Sequence, residues 1–424
     1  MRKNMIKIRK SDNLRSLLTE TLPYEVPLPF SNEGLYDFLK TNSQDAFKNE
    51  VHPELDLLST SSFTIPYSFK IRKSPSEYRT LSIMHPSMQI EVANFYQSYS
   101  SMILAQCKKS NWTLRAPAVV ATYFVERSRI AKESASKSSG VEQATSGFDH
   151  LARNASSYFA YRPYSLLHRF VDSSEFHRLE RKYEHLLRLD ISQCFGRIYT
   201  HTIEWAVKSK EHAKDNRNSV SKTFEAKFDR LMQRANYDET AGILVGPEVS
   251  RIFAEIILQQ IDLDIEETLS TSKNPLRAGA DYDIRRYVDD YFVYARSTEV
   301  LQRIQLTVSE CLKPYRLSLN ESKSEILRRP FSSPETMARP QVARILEEYF
   351  EKSISSEGVE EPVSGKSKKV FRPTRISSAD RLSNSIIRDI KIALKASEIQ
   401  FDTVSNYFFS TAKRLIYRYT TKVD

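Results

Sequence analysis

Ile284-Arg285-Arg286-Tyr287-Val288-Asp289-Asp290-Tyr291-Phe292-Val293-Tyr294 is the stretch that decides how this chain reads. Apolar and aromatic residues flank two adjacent carboxylates, a pattern of strand, tight turn and strand. Two carboxylates side by side between such strands repel each other and lose part of their water, so the arrangement is costly on its own. A divalent cation at the hairpin tip removes that cost. Mg²⁺ takes hard oxygen ligands, one or two carboxylates with the remainder from water and substrate phosphates. Asp289 and Asp290 at a hairpin tip therefore point to nucleotidyl transfer.

The bulk composition permits that chemistry. A chain of 424 residues is long enough for two to three domains, and 40% hydrophobic residues supply a real core. Only 9 glycines and 17 prolines argue against low complexity. The net charge of +10 is uneven: Val363 to Asp424 carries 13 Lys/Arg against 5 Asp/Glu, a net of +8. A basic C-terminal module beside a metal-binding core suggests a polyanion partner. Cys107, Cys194 and Cys311 are far apart with no C-x-x-C, so neither a zinc site nor a disulfide framework is expected. No apolar run follows the basic start Met1-Arg2-Lys3, and none approaches a membrane span, so a reduced cytoplasm is the expected compartment.

Along the chain, residues 1–50 read as a short helical lead-in. Residues 61–84 read as two strands around a turn at Ser74-Pro75-Ser76-Glu77. Helical spacing runs from Pro86 to about Gln106, and residues 131–147, rich in Ser, Lys and Gly, read as a mobile loop. Residues 148–185 read as helical, Leu186 to Ile191 as a strand ending at Asp190, and 200–236 and 247–270 as helices. Residues 298–313 are helical again, 351–375 read as a linker, and Ile386, Ile387, Ile390, Ile392 and Leu394 set a helical period within 376–420.

Asp190 gives the hairpin a third carboxylate from a separate strand, with Phe195 five positions on. A two-metal polymerase needs that division: one strand supplies an Asp and a backbone carbonyl, here Ile191, and a neighbouring turn supplies the rest. Asp190 could instead cap a helix beginning near Ser192.

The ordered segments resemble the motifs of reverse transcriptases. Leu189 to Phe195 resembles motif A, Gly242 to Arg251 motif B, Tyr287 to Asp290 motif C and Leu319 to Lys323 motif D. Lys70 to Arg79 with His85-Pro86 resembles the fingers motifs. The match spans roughly residues 60–330. Tyr158 to Tyr161, Leu179 to Tyr183, Ile198 to Ala206 and Gly246 to Glu255 resemble the bacterial abortive-infection and defence-associated reverse transcriptases, with the compact class 2 type nearest. Val245 stands where many relatives carry Gln. The retron Val-Thr-Gly signature and a fused nuclease motif are absent.

The resemblance implies an α/β, helix-rich (α+β) right-hand polymerase: N-terminal helices and fingers over 1–185, palm over 186–335, and a basic linker and small helical thumb over 336–424. It implies two Mg²⁺ ions (Mn²⁺ can serve) on Asp190, Asp289, Asp290 and the Ile191 carbonyl. Arg72, Lys73 and Arg79 would clamp triphosphate oxygens, Arg through its planar fork. Phe195 would exclude a 2′-hydroxyl, Gly246 would line the nucleotide site and Lys323 would protonate pyrophosphate. Ser250 and Tyr287 would approach primer–template. The implied partners are a structured noncoding RNA, its cDNA and dNTPs, with no membrane, in the bacterial cytoplasm and in antiphage defence. Two rivals stay open: template-independent, protein-primed DNA synthesis, and an RNA-binding scaffold with an inactive palm.

Overall fold

The computed structural model describes residues 4–7, 11–27, 29–45, 62–72, 77–126, 157–208, 223–331, 334–360 and 367–422. The expected mobile loop at 131–147 lies outside them, as does Lys73. The chain divides into two compact units, residues 1–328 and 329–424, so the expected fingers and palm share one unit.

The first unit opens with β1 (Asn4–Lys7), α1 (Ser16–Thr19) and α2 (Glu33–Asp45). A hairpin follows, β2 (Tyr67–Arg72) and β3 (Tyr78–Ile83), paired antiparallel from Tyr67↔Ile83 to Arg72↔Tyr78. α3 (Pro86–Gln106) starts where the sequence places it, with Pro86 at its first position and the His85 ring accepting the Ser87 N–H. β4 (Arg115–Val120), β5 (Tyr123–Glu126) and β6 (Phe159–Pro163) come next, β5 pairing with β1 and β6 with β4. β6 corrects the expectation of helix over 148–185. Its Phe-Ala-Tyr run suits a pleated edge, and Pro163 bars helix continuation. Helix resumes only at α4 (Leu167–Val171) and α5 (Ser174–Lys182), the latter capped by Ser173.

The centre of the unit is a four-stranded sheet. β7 (His185–Asp190) leads through α6 (Cys194–Arg197), α7 (Thr202–Lys208) and α8 (Phe224–Ala235) to the long helix α9 (Glu248–Thr271). β8 (Tyr282–Tyr287) and β9 (Asp290–Ala295) form the hairpin, then α10 (Thr298–Leu312) and the short strand β10 (Glu325–Arg328) complete the set. The strand order is β10-β7-β9-β8, all antiparallel. α9 is buried along its length at Val249, Phe253, Ile257, Ile261 and Ile265, a helical period that joins it to the main core. α10 packs on β9 and β7.

The second unit holds α11 (Pro334–Lys352), β11 (Ile354–Glu360), β12 (Ser367–Pro373), α12 (Ala379–Ala396) and α13 (Phe401–Lys422). Its core is Ala338, Val342, Leu346, Ile390, Leu394, Val404 and Leu415. The expected linker at 351–375 is instead a hairpin, registered from Ile354↔Pro373 to Glu360↔Ser367. Its Ser, Lys and Glu content hides the apolar–polar alternation by which a strand is read from sequence. Among the described residues no helix is long and apolar enough to cross a membrane.

Candidate active site

β7 and β9 are neighbours in register, and the last Cα pair of that ladder is Asp190↔Asp290. Asp190 thus ends a strand and is no helix cap; Gln193 precedes α6. Tyr287 faces Asp290 across the hairpin, leaving Val288 and Asp289 as a two-residue turn. The Ile191 N–H donates to the Asp289 carbonyl at 3.2 Å and closes the turn onto β7. Val288 sits at φ +57°, a region that a β-branched residue enters at a cost of roughly 1–3 kcal/mol.

The strain is held from behind. Arg286 is fully buried and donates to the Val288 carbonyl at 3.0 Å. Its guanidinium also grips Asp262 at 2.9 Å and Glu255 at 2.8 Å, both on α9. The Tyr291 hydroxyl donates to the other Asp262 oxygen at 2.8 Å. Burial works against the Arg286 charge, and Asp262 and Glu255 more than offset it, so the pKa moves well up. These three ionic residues escaped sequence reading. The available signal was Arg286 itself, an arginine at an inward position of a strand that leads into the turn.

The carboxylates face unequal surroundings. Burial, then the Asp289 and Asp190 charges, push Asp290 up to about 6; burial pushes Asp289 up as well. Asp190 instead accepts from Lys323 Nζ at 2.9 Å and from Asn320 Nδ2 at 3.1 Å, and its carbonyl takes the Asn320 N–H at 2.8 Å. The loop of motif D is thereby tied to the end of β7. Lys323 stays more than half exposed, and its bond to Asp190 raises its pKa.

The motif B segment lies against motif A. Ile243 N–H donates to the Phe195 carbonyl and Gly242 N–H to the Ile198 carbonyl, each at 2.8 Å. Phe195 is half-buried against the core. Gly246 has φ +128°, and a Cβ there would stand 2.6 Å from Pro23 Cβ, so only glycine fits. Ser82 N–H donates to the Val245 carbonyl at 2.9 Å, joining β3 to the same loop. The N-terminal segment also reaches motif B: the Glu20 carbonyl accepts the Val249 N–H at 3.0 Å. The Glu20 carboxyl is buried, accepts the Tyr158 N–H and Tyr161 hydroxyl, and is pushed up to about 8 by burial and by Glu248. Glu248 opposes it as an ion held by Arg115 and, at 2.8 Å, by Arg251.

The remaining predicted residues divide. Arg79 and Ile71 are register partners, and Arg79 is close enough to act on Asp289 electrostatically. Arg72 pairs with Tyr78 and alternates to the other face of the hairpin. Tyr287 is half-buried, its hydroxyl donating to the Ser165 carbonyl at 3.3 Å. Ser250 needs correction as a primer–template contact: it is fully enclosed in the first turn of α9, where the N-terminal segment covers the helix start.

Among the described residues no three His, Cys, Asp or Glu side chains already converge as a closed metal cage. Mg²⁺ does not require one, since it completes its shell with water and phosphate oxygens. The donor set fits: Asp190 ends β7, Asp290 opens the adjacent strand β9 in register with it, and Asp289 stands in the turn beside them.

No curated protein matches the chain. Solved structures with low similarity include apo telomerase from Candida tropicalis, at 12% identity and TM-score 0.38 over 97% of this chain and 68% of that one. Another is telomerase from Candida albicans in complex with a TWJ fragment of telomeric RNA, at 10% identity and TM-score 0.35 over 93% and 64%. The chain spans between 57% and 68% of the lengths of these telomerase structures. Residues 137–357, just over half of the chain and the whole carboxylate-bearing sheet, match the family described as reverse transcriptase (RNA-dependent DNA polymerase). The chain belongs to the reverse transcriptase (RNA-dependent DNA polymerase) family.

Proposed function

We propose that this polymerase copies an associated noncoding RNA into cDNA by two-metal nucleotidyl transfer, in defence of a bacterial cell against phage. The observation that carries the chemistry is the Cα pairing of Asp190 with Asp290, with Asp289 in the turn between β8 and β9. Asp190, Asp289, Asp290 and the Ile191 carbonyl hold the ions. When bound, two Mg²⁺ ions lower the pKa of the primer hydroxyl and stabilise the departing pyrophosphate. The protein's own part is placement. Arg286 fixes the turn, Gly242 and Gly246 shape the motif B loop around Phe195, and Arg79 offers its fork to the triphosphate. Lys323, held at Asp190 at 2.9 Å, would protonate the departing pyrophosphate. The defence role rests on motif order and on the segments near Tyr158, Ile198 and Gly246 that resemble defence-associated enzymes.

The test is twofold. Purified protein with Asp289→Asn and Asp290→Asn loses dNTP incorporation while the parent incorporates dNTPs on an RNA template. Sequencing of co-purified nucleic acid then returns one recurrent structured RNA and DNA complementary to it. Homopolymeric DNA released only by protease would overturn templated copying in favour of protein-primed synthesis.

A further inference from the structure

α3, α7 and α8 enclose a cleft of about 740 Å³ whose lining includes Tyr99, His201, Glu204, Lys227, Asp229 and Arg230. None of these residues belongs to the strand ends that carry Asp190, Asp289 and Asp290. The volume lies in the ~300–1,000 Å³ range of sites that take small ligands or single ligand units. His201 and Glu204 belong to the Ile198 to Ala206 segment, whose Ile198 carbonyl holds the motif B loop.

The imidazole is mounted on a braced support. Asp229, nearly inaccessible, accepts His201 Nδ1 at 2.6 Å and the Gln233 amide at 2.7 Å, and that amide also reaches Thr200 Oγ1 at 3.1 Å. With Nδ1 committed to Asp229, the other ring nitrogen is the one left for the cleft. The bond to Asp229 also raises the His201 pKa, which favours the doubly protonated, donor-only ring. Glu204 adds an acceptor on the same helix-start segment. Tyr99 gives a half-exposed aromatic wall, backed by Phe95 at 4.9 Å between ring centroids. Lys227 lies 5.4 Å over the Tyr99 ring, and Arg230, exposed and paired with Asp238 at 2.6 Å, stands one helical turn away on α8.

An aromatic wall, a fixed donor, an acceptor and two exposed cations at the rim together describe one nucleotide unit. The base takes the place of the Lys227 ammonium on the Tyr99 ring, the sugar hydroxyl and base edge meet His201 and Glu204, and the displaced Lys227, with Arg230, meets the backbone phosphate. A free anion alone would be disfavoured by Glu204 and Asp229, and a purely apolar ligand by the rim charges. We propose that this cleft captures an unpaired ribonucleotide of the bound RNA, outside the template path. The proposal rests on the reading of the chain as a polymerase that holds an RNA.

The experiment uses the full chain and 12-nucleotide single strands carrying 4-thiouridine as RNA and 4-thio-2′-deoxyuridine as the matching DNA. Photocrosslinking with RNA is expected to map to the peptides that hold Tyr99 or His201, with DNA crosslinking there several-fold weaker. Lys227→Glu with Arg230→Glu is expected to lower RNA affinity at least fivefold and to remove that crosslink. The same variant keeps its dNTP incorporation on saturating RNA-template–DNA-primer, a reading that stays informative whether or not the cleft binds. Crosslinks only at other peptides, equal crosslinking by DNA, or unchanged RNA affinity in the double variant would each overturn the proposal. His201→Gln provides a milder check: it leaves the charge at the rim and is expected to cut the RNA-over-DNA preference.

Discussion

Arg286→Lys separates what holds the palm together from what aims its carboxylates. Arg286 donates to Asp262, Glu255 and the Val288 carbonyl at once, at 2.8–3.1 Å, with no exposure to solvent. Removal of its charge, as in Arg286→Met, strands two buried carboxylates and costs about 3–5 kcal/mol. That is a large part of the ~5–15 kcal/mol that holds a typical domain together. Lysine keeps the charge but has no planar fork, so it cannot serve both carboxylates and the carbonyl together. The loss is then that of a charge-assisted bond, about 1.5–3 kcal/mol. The lysine variant should therefore fold at 25 °C with a lower urea midpoint. Its turn loses the anchor that keeps Val288 at φ +57°, and relaxation shifts Asp289 and Asp290. A displacement near 1 Å at reacting groups costs about 100-fold. Single-turnover dNTP incorporation on an RNA template should fall by about that factor, with the KM for primer–template little changed. A lysine variant that unfolds early yet incorporates at the parental rate would refute the claim that Arg286 positions the turn. Arg286→Met combined with Glu255→Gln and Asp262→Leu should recover stability without recovering rate.

Three further outcomes follow from local geometry. Gly246→Ala drives a Cβ to 2.6 Å from Pro23 in a backbone region closed to alanine, so it should destabilise by about 1–3 kcal/mol. Pro23→Gly should return part of that loss in a urea titration. Glu20 keeps its proton to about pH 8 when folded, whereas an unfolded glutamate releases it near pH 4.5. Unfolding thus releases a proton across that window, stability falls as pH rises from about 5 to 8, and Glu20→Gln should flatten the slope. An unchanged slope in the Gln variant would mean Glu20 is ionised in the fold. Val288→Gly relieves a left-handed strain of about 1–2 kcal/mol against an entropic cost of about 0.5–1 kcal/mol. It should raise the melting temperature slightly while lowering the incorporation rate.

The carboxylate-bearing strands were legible because their signal is local. Tyr287 to Asp290 and Leu186 to Asp190 each announce a strand end with a carboxylate, and register then does the rest, since a period of two fixes which residues meet. The helix from Pro86 was legible for the same reason, with a proline start and an apolar period in one stretch. β6 was missed because its partner β4 lies well before it in the chain and Pro163 breaks its pattern, and the β11–β12 hairpin because a run of Ser and Lys conceals the alternation. Arg286 shows the deeper limit. As a residue type it belongs on the surface, and nothing in its neighbours announces burial. Only the fold brings Asp262 and Glu255, 24 and 31 residues earlier, to the back of the same turn. The misreading of Ser250 has the same origin in reverse: a polar residue in motif B looks like a contact for nucleic acid, yet it is buried at a helix start to which the N-terminal segment, more than 200 residues away in sequence, is bonded through Glu20 and Val249. The sequence therefore displays the groups proposed to meet the substrate, whereas the groups that hold them in place are displayed only by packing. Mutations that alter rate without touching substrate should concentrate on that second set, at Arg286, Asp262 and Glu255 behind the carboxylates and at Glu20 and Pro23 behind motif B.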